Sequence, residues 1–298
     1  MSNAGVATTS RSGSHDPVAL SFAHALAREL AEGRVQLPGF PKVAVQVQRV
    51  LADEDVPPLR VVRAVGAEPV LAGRIVQCAN SIVFNPGAMP VHDLRTAVTR
   101  VGLDFVRTLT ISFAVAQLRQ AAELAVIRLQ LDALWERSVT VSTLCFIIAR
   151  RHTRINADAA LLAGLLHGVG RLYILTRAAS LPHLLVDVES YTAIEDSCHA
   201  DLARALLESW RISATIIAAV DALHAPETAA AASGEASLHD VLRAAVAIAA
   251  TPPAELARLA SGAVCQRLGL TAAAFGSIVE ESAAEVEALR AVLGPQKN

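Results

Sequence analysis

Apolar residues recur at intervals of three and four along most of this chain, a spacing that places them on one face of successive α-helices. The stretch after residue 42 shows the pattern clearly, because Val43, Val47 and Leu51 fall on a single stripe. No alternating pattern longer than a few residues is present, and aromatic residues make up only 4% of the sequence. The pattern therefore predicts an all-α protein whose helices pack through small and branched side chains.

Glycine, proline and short polar runs divide this pattern into helices of ordinary length. The helices are predicted at about 17–32, 42–53, 58–66, 69–80, 92–101, 103–119, 122–152, 157–166, 171–176, 195–209, 213–223, 238–250, 254–268 and 271–292. Trp135 and Trp210 fall at apolar positions of these helices, which favours a role as core anchors over one as ligand platforms.

Charge and composition narrow the class of protein. With 53% apolar residues the chain must bury a sizeable core, and a net charge of −2 does not favour a dedicated nucleic-acid binder. The charge therefore disfavours nucleic acid as a partner. The alternative is a local phosphate site at Arg150, Arg151 and Arg154, with Arg60, Arg63 and Arg74 as further members. The sequence shows neither a signal peptide nor a membrane span, so we predict a cytoplasmic protein with no membrane contact.

The four cysteines give no sign of redox or metal chemistry. They are widely separated and never form a C-x-x-C pair, and each lies in an apolar helical context. We predict buried, reduced thiols. The chain also lacks a P-loop, a G-x-G-x-x-G fingerprint, a G-x-S-x-G elbow and an H-E-x-x-H helix, so no common nucleotide-binding or hydrolytic motif is present.

The sharpest local signal is the segment LAGLLHGVGRL at 162–172, in which a histidine ends an apolar helix and a glycine-bounded turn follows. The segment resembles the turn on which HD metal-phosphohydrolases present a His-Asp pair. Four further blocks in chain order resemble the HDOD family, the HD-related output domains of bacterial signalling. They are LPGFPKVAVQVQRV with EPVLAGRIVQCANSIVF (37–84), LWERS (134–138), HADLARALLESWRI (199–212) and LHAP (223–226).

The resemblance implies a compact, all-α, HD-like domain at 36–228. It would be preceded by a disordered tail at 1–15 and a helix at 16–35. A loop or linker at 229–237 and a helical extension at 238–298 would follow, the latter a candidate docking surface or dimer element.

The same resemblance implies that metal chemistry has been lost. An HD hydrolase needs imidazoles and carboxylates around a cation that activates water. Here Gly168 occupies the position of the aspartate, Ser138 stands where active relatives would carry a histidine, and Leu223 precedes His224 in place of a second histidine. We therefore expect no catalytic residues, no cofactor and no bound metal.

Five residues are candidates for binding: Asn80, Ser81, His167, His199 and His224. If a metal binds at all, the three histidines would be its ligands, but partly buried imidazoles that hydrogen-bond between helices are the favoured interpretation. Asn80 is more simply a helix C-cap, and Ser81 a side chain bonded to a nearby carbonyl.

Two functional hypotheses follow. The favoured one is a non-catalytic regulatory module that binds a signalling protein, with a homodimer and a small ligand as open possibilities. The alternative is a residual metal-dependent phosphohydrolase acting on a nucleotide or cyclic dinucleotide.

Overall fold

A computed structural model describes residues 17–37, 40–53, 55–87, 89–223, 235–280 and 283–293. Within these ranges every regular element is an α-helix or a short 3-10 segment, which confirms the all-α prediction. The predicted tail at 1–15 and most of the predicted linker at 229–237 lie outside the described residues.

The helices follow one another with short connections. The first eight are α1 (Pro17–Ala31), α2 (Lys42–Leu51), α3 (Pro58–Gly66), α4 (Pro69–Ala79), α5 (Leu94–Val101), α6 (Leu103–Arg119), α7 (Arg128–His152) and α8 (Ala157–Leu166). The others are α9 (Val169–Ala178), α10 (Pro182–Val186), α11 (Val188–Ser209), α12 (Ala214–Ala222), α13 (Leu238–Ala250), α14 (Ala263–Arg267), α15 (Ala272–Glu280) and α16 (Ala283–Leu293). Two 3-10 segments lie at Ala122–Ile127 and Pro253–Ser261.

Several helix predictions in the main domain are wrong. α10 was not predicted, and α9 is longer than the predicted 171–176. The helix predicted at 122–152 is a 3-10 segment followed by α7, because Ile127 has φ −112° and ψ 15° and so interrupts the helix. The helix predicted at 195–209 begins earlier, at Val188. It begins there because the Asp187 carboxylate accepts a hydrogen bond from the Ser190 amide at 3.2 Å, a helix N-cap that apolar periodicity does not reveal.

The crossing of α7 and α8 forms the centre of the core. A β-carbon at Gly164 would lie 2.5 Å from the Ser142 Cα, so only glycine lets the two backbones approach this closely. The Ser142 hydroxyl donates a hydrogen bond to the Leu161 carbonyl at 2.6 Å across the same crossing. This close contact fixes the direction in which α8 leaves the core, and thereby the position of the turn that follows it.

The N-terminal helix α1 packs against the main domain. Phe22 and Leu26 are buried in its core. Glu29 accepts a hydrogen bond from the Tyr173 hydroxyl at 2.6 Å and forms an ion pair with Arg177, both on α9. Thus α1 is anchored to the helix that follows the 167–170 turn.

The C-terminal extension divides into more elements than predicted. The helix predicted at 254–268 is a 3-10 segment followed by α14, and the helix predicted at 271–292 is α15 followed by α16. Gly262 marks the first division, because its extended backbone, with φ −71° and ψ 143°, interrupts the helix between the 3-10 segment and α14.

A capping box and a buried ion pair stabilise the extension. Ser237 and Asp240 form a capping box at the start of α13, and Asp240 is also ion-paired with Arg267, with both side chains buried. Burial alone would raise the pKa of Asp240, but the hydrogen bonds from Arg267 and Ser237 outweigh it and lower that pKa.

The last helix, α16, reaches back to the main domain. The Ser112 hydroxyl on α6 donates a hydrogen bond to the Leu293 carbonyl at 2.7 Å, and Glu285 lies 3.8 Å from Arg150 and 3.5 Å from Arg151 on α7. Leu289 and Leu293 are buried in the same hydrophobic core as the main domain. Part of the apolar surface of the extension therefore packs against the main domain.

One described segment, Ala157–Ala178, is long and apolar enough to cross a membrane by length and composition alone. It consists of α8, the 167–170 turn and α9, and 83% of its most apolar window is buried inside the protein. A core helix pair accounts for this apolar character.

Candidate functional site

The turn between α8 and α9 holds Gly168, which occupies the position where the resemblance places the aspartate of an active HD enzyme. α8 ends at Leu166, and α9 begins at Val169, so His167 and Gly168 form the connection. Gly168 has φ −97° and ψ 9°, a conformation open to other residues, and its carbonyl accepts a hydrogen bond from the Leu172 amide at 3.0 Å. Backbone geometry therefore does not require glycine at this position.

Gly168 and Ser138 lie side by side. A β-carbon at Gly168 would be 3.4 Å from the Ser138 hydroxyl and 3.4 Å from the Leu134 side chain. The Ser138 hydroxyl donates its own hydrogen bond to the Leu134 carbonyl at 3.0 Å. Two of the positions at which the sequence departs from an active HD site are thus neighbours in space.

A small cavity of about 20 Å³ lies at this place. Its described lining offers no carboxylate and no imidazole, and Ser138 is its only hydroxyl. The residues that line it are Ile111, Val115, Leu131, Leu134, Trp135, Ser138, Leu165, Leu166, Gly168, Val169, Leu172 and Trp210. Because a divalent cation requires oxygen or nitrogen ligands, this lining does not fit one.

His167 and His199 each form a hydrogen bond within their own helical segment. The Nδ1 atom of His167 lies 2.7 Å from the Gly164 carbonyl, and that of His199 lies 2.7 Å from the Glu195 carbonyl. A carbonyl only accepts hydrogen bonds, so Nδ1 carries the proton in both rings. His199 is buried, and His167 is half-buried.

The backbone of His199 also meets the turn. A β-carbon at Gly170 would lie 1.9 Å from the His199 carbonyl oxygen, which makes glycine indispensable where α9 crosses α11. His199 thus packs through its main chain against the start of α9, two residues after Gly168.

His224 lies outside the described residues, so the less favoured interpretation, three histidines around one metal ion, is untested. Its neighbour Leu223 caps the C-terminus of α12 and packs against the core. In the part of the chain that the structure describes, no group of three or more His, Cys, Asp or Glu side chains is placed to hold a metal ion.

Asn80 is bonded to the backbone of a neighbouring segment. Its side-chain carbonyl accepts a hydrogen bond from the Val91 amide at 2.7 Å, and its side-chain amide donates to the Val91 carbonyl at 2.7 Å. It also forms the C-cap of α4, as the sequence suggested. Ser81 takes part in the same turn through its main chain, since its amide donates to the Cys78 carbonyl at 2.9 Å. Neither residue lines the cavity at Gly168.

Most of the arginines considered for a phosphate site have other partners. Arg150 and Arg151 face Glu285, and Arg60 lies 3.6 Å from Asp53. Arg74 is buried over the ring of Phe113, and burial lowers the pKa of its guanidinium. No continuous track of free cations results from these residues.

The cysteine thiols are unsuited to nucleophilic chemistry. All four are free; Cys78, Cys145 and Cys265 are buried and Cys198 is half-buried. Burial raises the pKa of each thiol, so the reactive thiolate form is disfavoured.

A second concave region was missed by the sequence reasoning. It lies between α2, the segment before it and the end of α11, and includes Arg49, Trp210 and Arg211. Trp210 is half-buried and stacks on Phe40 with ring centroids 5.1 Å apart. It was predicted to be a core anchor, but it also lines this concave region. The available signal was the pair Trp210–Arg211 at a helix end, where glycine is usual.

Comparison with known proteins agrees with this architecture. A family model for the HDOD domain matches residues 37–226. A curated protein of Treponema pallidum (strain Nichols), described as uncharacterized, is 22% identical over 220 residues, which make up 68% of this chain. The chain spans 41% of the length of that relative.

Several solved structures share the fold. A protein of Shewanella amazonensis SB2B, described as a candidate metal-dependent phosphohydrolase, has a TM-score of 0.62 at 24% identity, covering 86% of this chain and 99% of its own. An HDOD domain protein of unknown function from Geobacter sulfurreducens has a TM-score of 0.60 at 24% identity, covering 92% and 99%. A candidate signal transduction protein from Marinobacter aquaeolei VT8 has a TM-score of 0.57 at 19% identity, covering 93% and 65%.

Proposed function

Because the chain belongs to the HDOD family, we propose that it is a non-catalytic module of bacterial signal transduction that acts in the cytoplasm by binding a partner protein. The module would need neither a metal nor a cofactor. A second copy of the chain or a small ligand could take part in the complex, but neither is required for this mode of action.

The observation that carries this proposal is the apolar cavity at Gly168. An HD hydrolase activates water by placing carboxylates and imidazoles around a cation. In this chain the corresponding position is occupied by glycine beside serine, and leucine, valine and tryptophan side chains line the space. A cation placed there would lose its hydration without gaining ligands, which is strongly unfavourable.

The alternative is residual phosphohydrolase activity on a nucleotide or cyclic dinucleotide. It is favoured by one structural detail: His167 and His199 both carry the proton on Nδ1, which leaves the lone pair of a neutral ring on Nε2, the usual orientation of a metal-ligating imidazole. With His224 they would supply three nitrogen ligands.

Metal analysis and phosphoester assays separate the two functions. Purified full-length protein is incubated with Mn²⁺, Zn²⁺ or Mg²⁺, desalted, analysed for bound metal, and then assayed against mononucleotides, cyclic dinucleotides and a chromogenic phosphoester. We expect no stoichiometric metal and no turnover. The matched variants are His167→Ala and, as a control on an exposed histidine, His183→Ala.

Turnover that depends on bound metal, is lost in His167→Ala and is retained in His183→Ala would refute the non-catalytic proposal. Absence of both metal and turnover, together with a stoichiometric complex with an identified signalling protein, would support it.

A further inference from the structure

A groove lies between α2, residues 36, 37 and 40 that precede it, and the C-terminal end of α11. Its volume is about 960 Å³, far larger than the cavity at Gly168. Phe40 and Trp210 form a stacked aromatic pair in its wall, with an angle of 18° between the ring planes. The groove therefore combines an apolar aromatic surface with room for an extended segment.

The charge in this groove is positive. Arg49 on α2 and Arg211 after α11 both line it and are both exposed. Neither guanidinium has an ion-pair or hydrogen-bond partner among the residues the structure describes, and no described lining residue is Asp or Glu. Asp53, one helical turn beyond Arg49, is paired with Arg60 instead. The described lining of the groove thus carries two guanidinium groups and no carboxylate.

The backbone at Arg211 shows that this arginine occupies a position where glycine would fit better. α11 ends in a Schellman motif: the Arg211 amide donates to the Glu208 carbonyl at 2.9 Å and the Ile212 amide to the Leu207 carbonyl at 3.0 Å. Arg211 has φ 53°, in the left-handed region that disfavours residues with a β-carbon.

Two other helices of the same chain end in the same motif with glycine. After α1 the left-handed residue is Gly33, with φ 63°, and after α14 it is Gly269, with φ 66°. Arg211 is the one non-glycine residue with positive φ in the described part of the chain. The fold alone gives no reason for arginine at this position, whereas a charged ligand in the groove does.

We propose that this groove is the docking site for an acidic segment of the partner protein, with Arg49 and Arg211 binding its carboxylates and the Phe40–Trp210 pair packing against an apolar side chain between them. This inference rests on the proposed function, since it assigns a surface to the partner binding that function requires. Tryptophan and arginine are the residues that most often dominate the binding energy of protein interfaces, and both are present here.

A protein segment suits the groove better than a nucleic acid. Nucleic-acid binding requires a track of free cations along the phosphate backbone. Here the chain carries a net charge of −2, and many arginines outside the groove are ion-paired, among them Arg150, Arg151, Arg177 and Arg204. Two unpaired guanidinia match a short acidic segment.

The test uses full-length protein and a displayed library of random peptides. We expect the selected peptides to carry an excess of Asp and Glu around an aromatic or aliphatic residue. The strongest of them is synthesised with a fluorescent label, and its affinity is measured by anisotropy at low and high ionic strength. Arg49→Ala and Arg211→Gly are each expected to weaken binding about tenfold or more, and high salt should weaken it as well.

Arg128→Ala is the matched control, because Arg128 is exposed but does not line the groove. Thermal unfolding of each variant confirms that it is folded. Selected peptides without an acidic excess, no selected peptides at all, or peptides that bind equally well to the Arg49→Ala and Arg211→Gly variants would overturn the inference.

The unlabelled peptide should compete with the labelled one. If GTP or single-stranded DNA displaces the labelled peptide and the unlabelled peptide does not, the inference is also overturned. None of these outcomes contradicts the proposed function, because the partner could then bind at another surface. Only metal-dependent turnover contradicts that function.

Discussion

The turn that joins α8 to α9 and the end of α11 at Arg211 are both breaks in regular helix, but the residues near them fit the backbone in opposite ways. Just after the turn, Gly170 stands where only glycine fits, because a β-carbon would meet the His199 carbonyl, and the neighbouring cavity is small and apolar. At the groove, arginine stands where glycine would be more stable, and the surroundings are wider and carry positive charge. The comparison shows that Gly170 is required by packing, whereas packing does not require arginine at position 211.

The largest expected effect concerns the packing role of the turn. Gly170→Ala places a β-carbon 1.9 Å from a backbone oxygen that cannot move without shifting α11. We expect a loss of about 3 kcal/mol or more in the free energy of unfolding, measured by urea denaturation. Gly73→Ala is the control, because Gly73 also lies within a helix but has no atom within 4 Å of its β-carbon position, and a gain of about 0.5–1 kcal/mol is expected. Equal effects of the two substitutions would contradict the close crossing.

The second prediction restores the missing carboxylate. Gly168→Asp places a carboxyl group beside Leu134 and Ser138 in an apolar cavity, and we expect a loss of about 2 kcal/mol at neutral pH. Gly168→Ala, whose β-carbon makes contacts at 3.4 Å, should change stability by less than about 1 kcal/mol.

The loss from Gly168→Asp should also depend on pH. Burial raises the folded-state pKa of the introduced carboxyl above its unfolded value of about 4, so the folded state holds the proton more tightly. The destabilisation should therefore grow as pH rises from about 4 towards the folded-state pKa and then level off. Denaturation midpoints measured at several pH values test this; a loss that is independent of pH would mean that the carboxyl reaches solvent or a cation.

The third prediction exchanges the residues of two matching helix ends. Arg211→Gly should stabilise the protein by about 1 kcal/mol, because glycine adopts the left-handed conformation without steric cost, and Gly269→Arg should destabilise it by a similar amount. Thermal and urea unfolding provide the measurements. If Arg211→Gly lowers the free energy of unfolding instead, the arginine side chain stabilises the fold, and the comparison with Gly33 and Gly269 is wrong.

The smallest expected effect on stability belongs to the other arginine of the groove. Arg49 is exposed and has no partner among the described residues, so Arg49→Ala should alter the free energy of unfolding by no more than about 0.5 kcal/mol. A larger loss, measured by urea denaturation alongside wild type, would indicate that Arg49 supports the fold and would weaken its assignment to partner binding.

Part of this picture follows from local sequence. The apolar period predicted almost every helix, and short motifs predicted the 167–170 turn and the C-cap at Asn80, because these features depend on residues a few positions apart. The breaks at Ile127 and Asp187 were missed, since a non-helical backbone angle and a side-chain cap leave the apolar pattern unchanged.

The site was predictable to a smaller degree. The sequence showed that Gly168 replaces an acidic residue, but that Ser138 lies against it depends on the way α7 and α8 cross. Arg211 stands at a helix end where glycine is usual, a signal that was overlooked, whereas nothing near Arg49 in the sequence marks it. The two arginines share a groove only through the packing of α2 near the end of α11.

The sequence by itself determined the helical class, the family and the absence of the acidic ligand, because all three are properties of residue type and short-range spacing. Only the tertiary structure decided that the cavity at Gly168 is apolar, that Gly170 is locked against His199, and that Arg211 stands in a left-handed conformation beside a stacked Phe40–Trp210 pair. The physical reason is that these are contacts between helices far apart in the chain, and their geometry is set by how closely the backbones can approach.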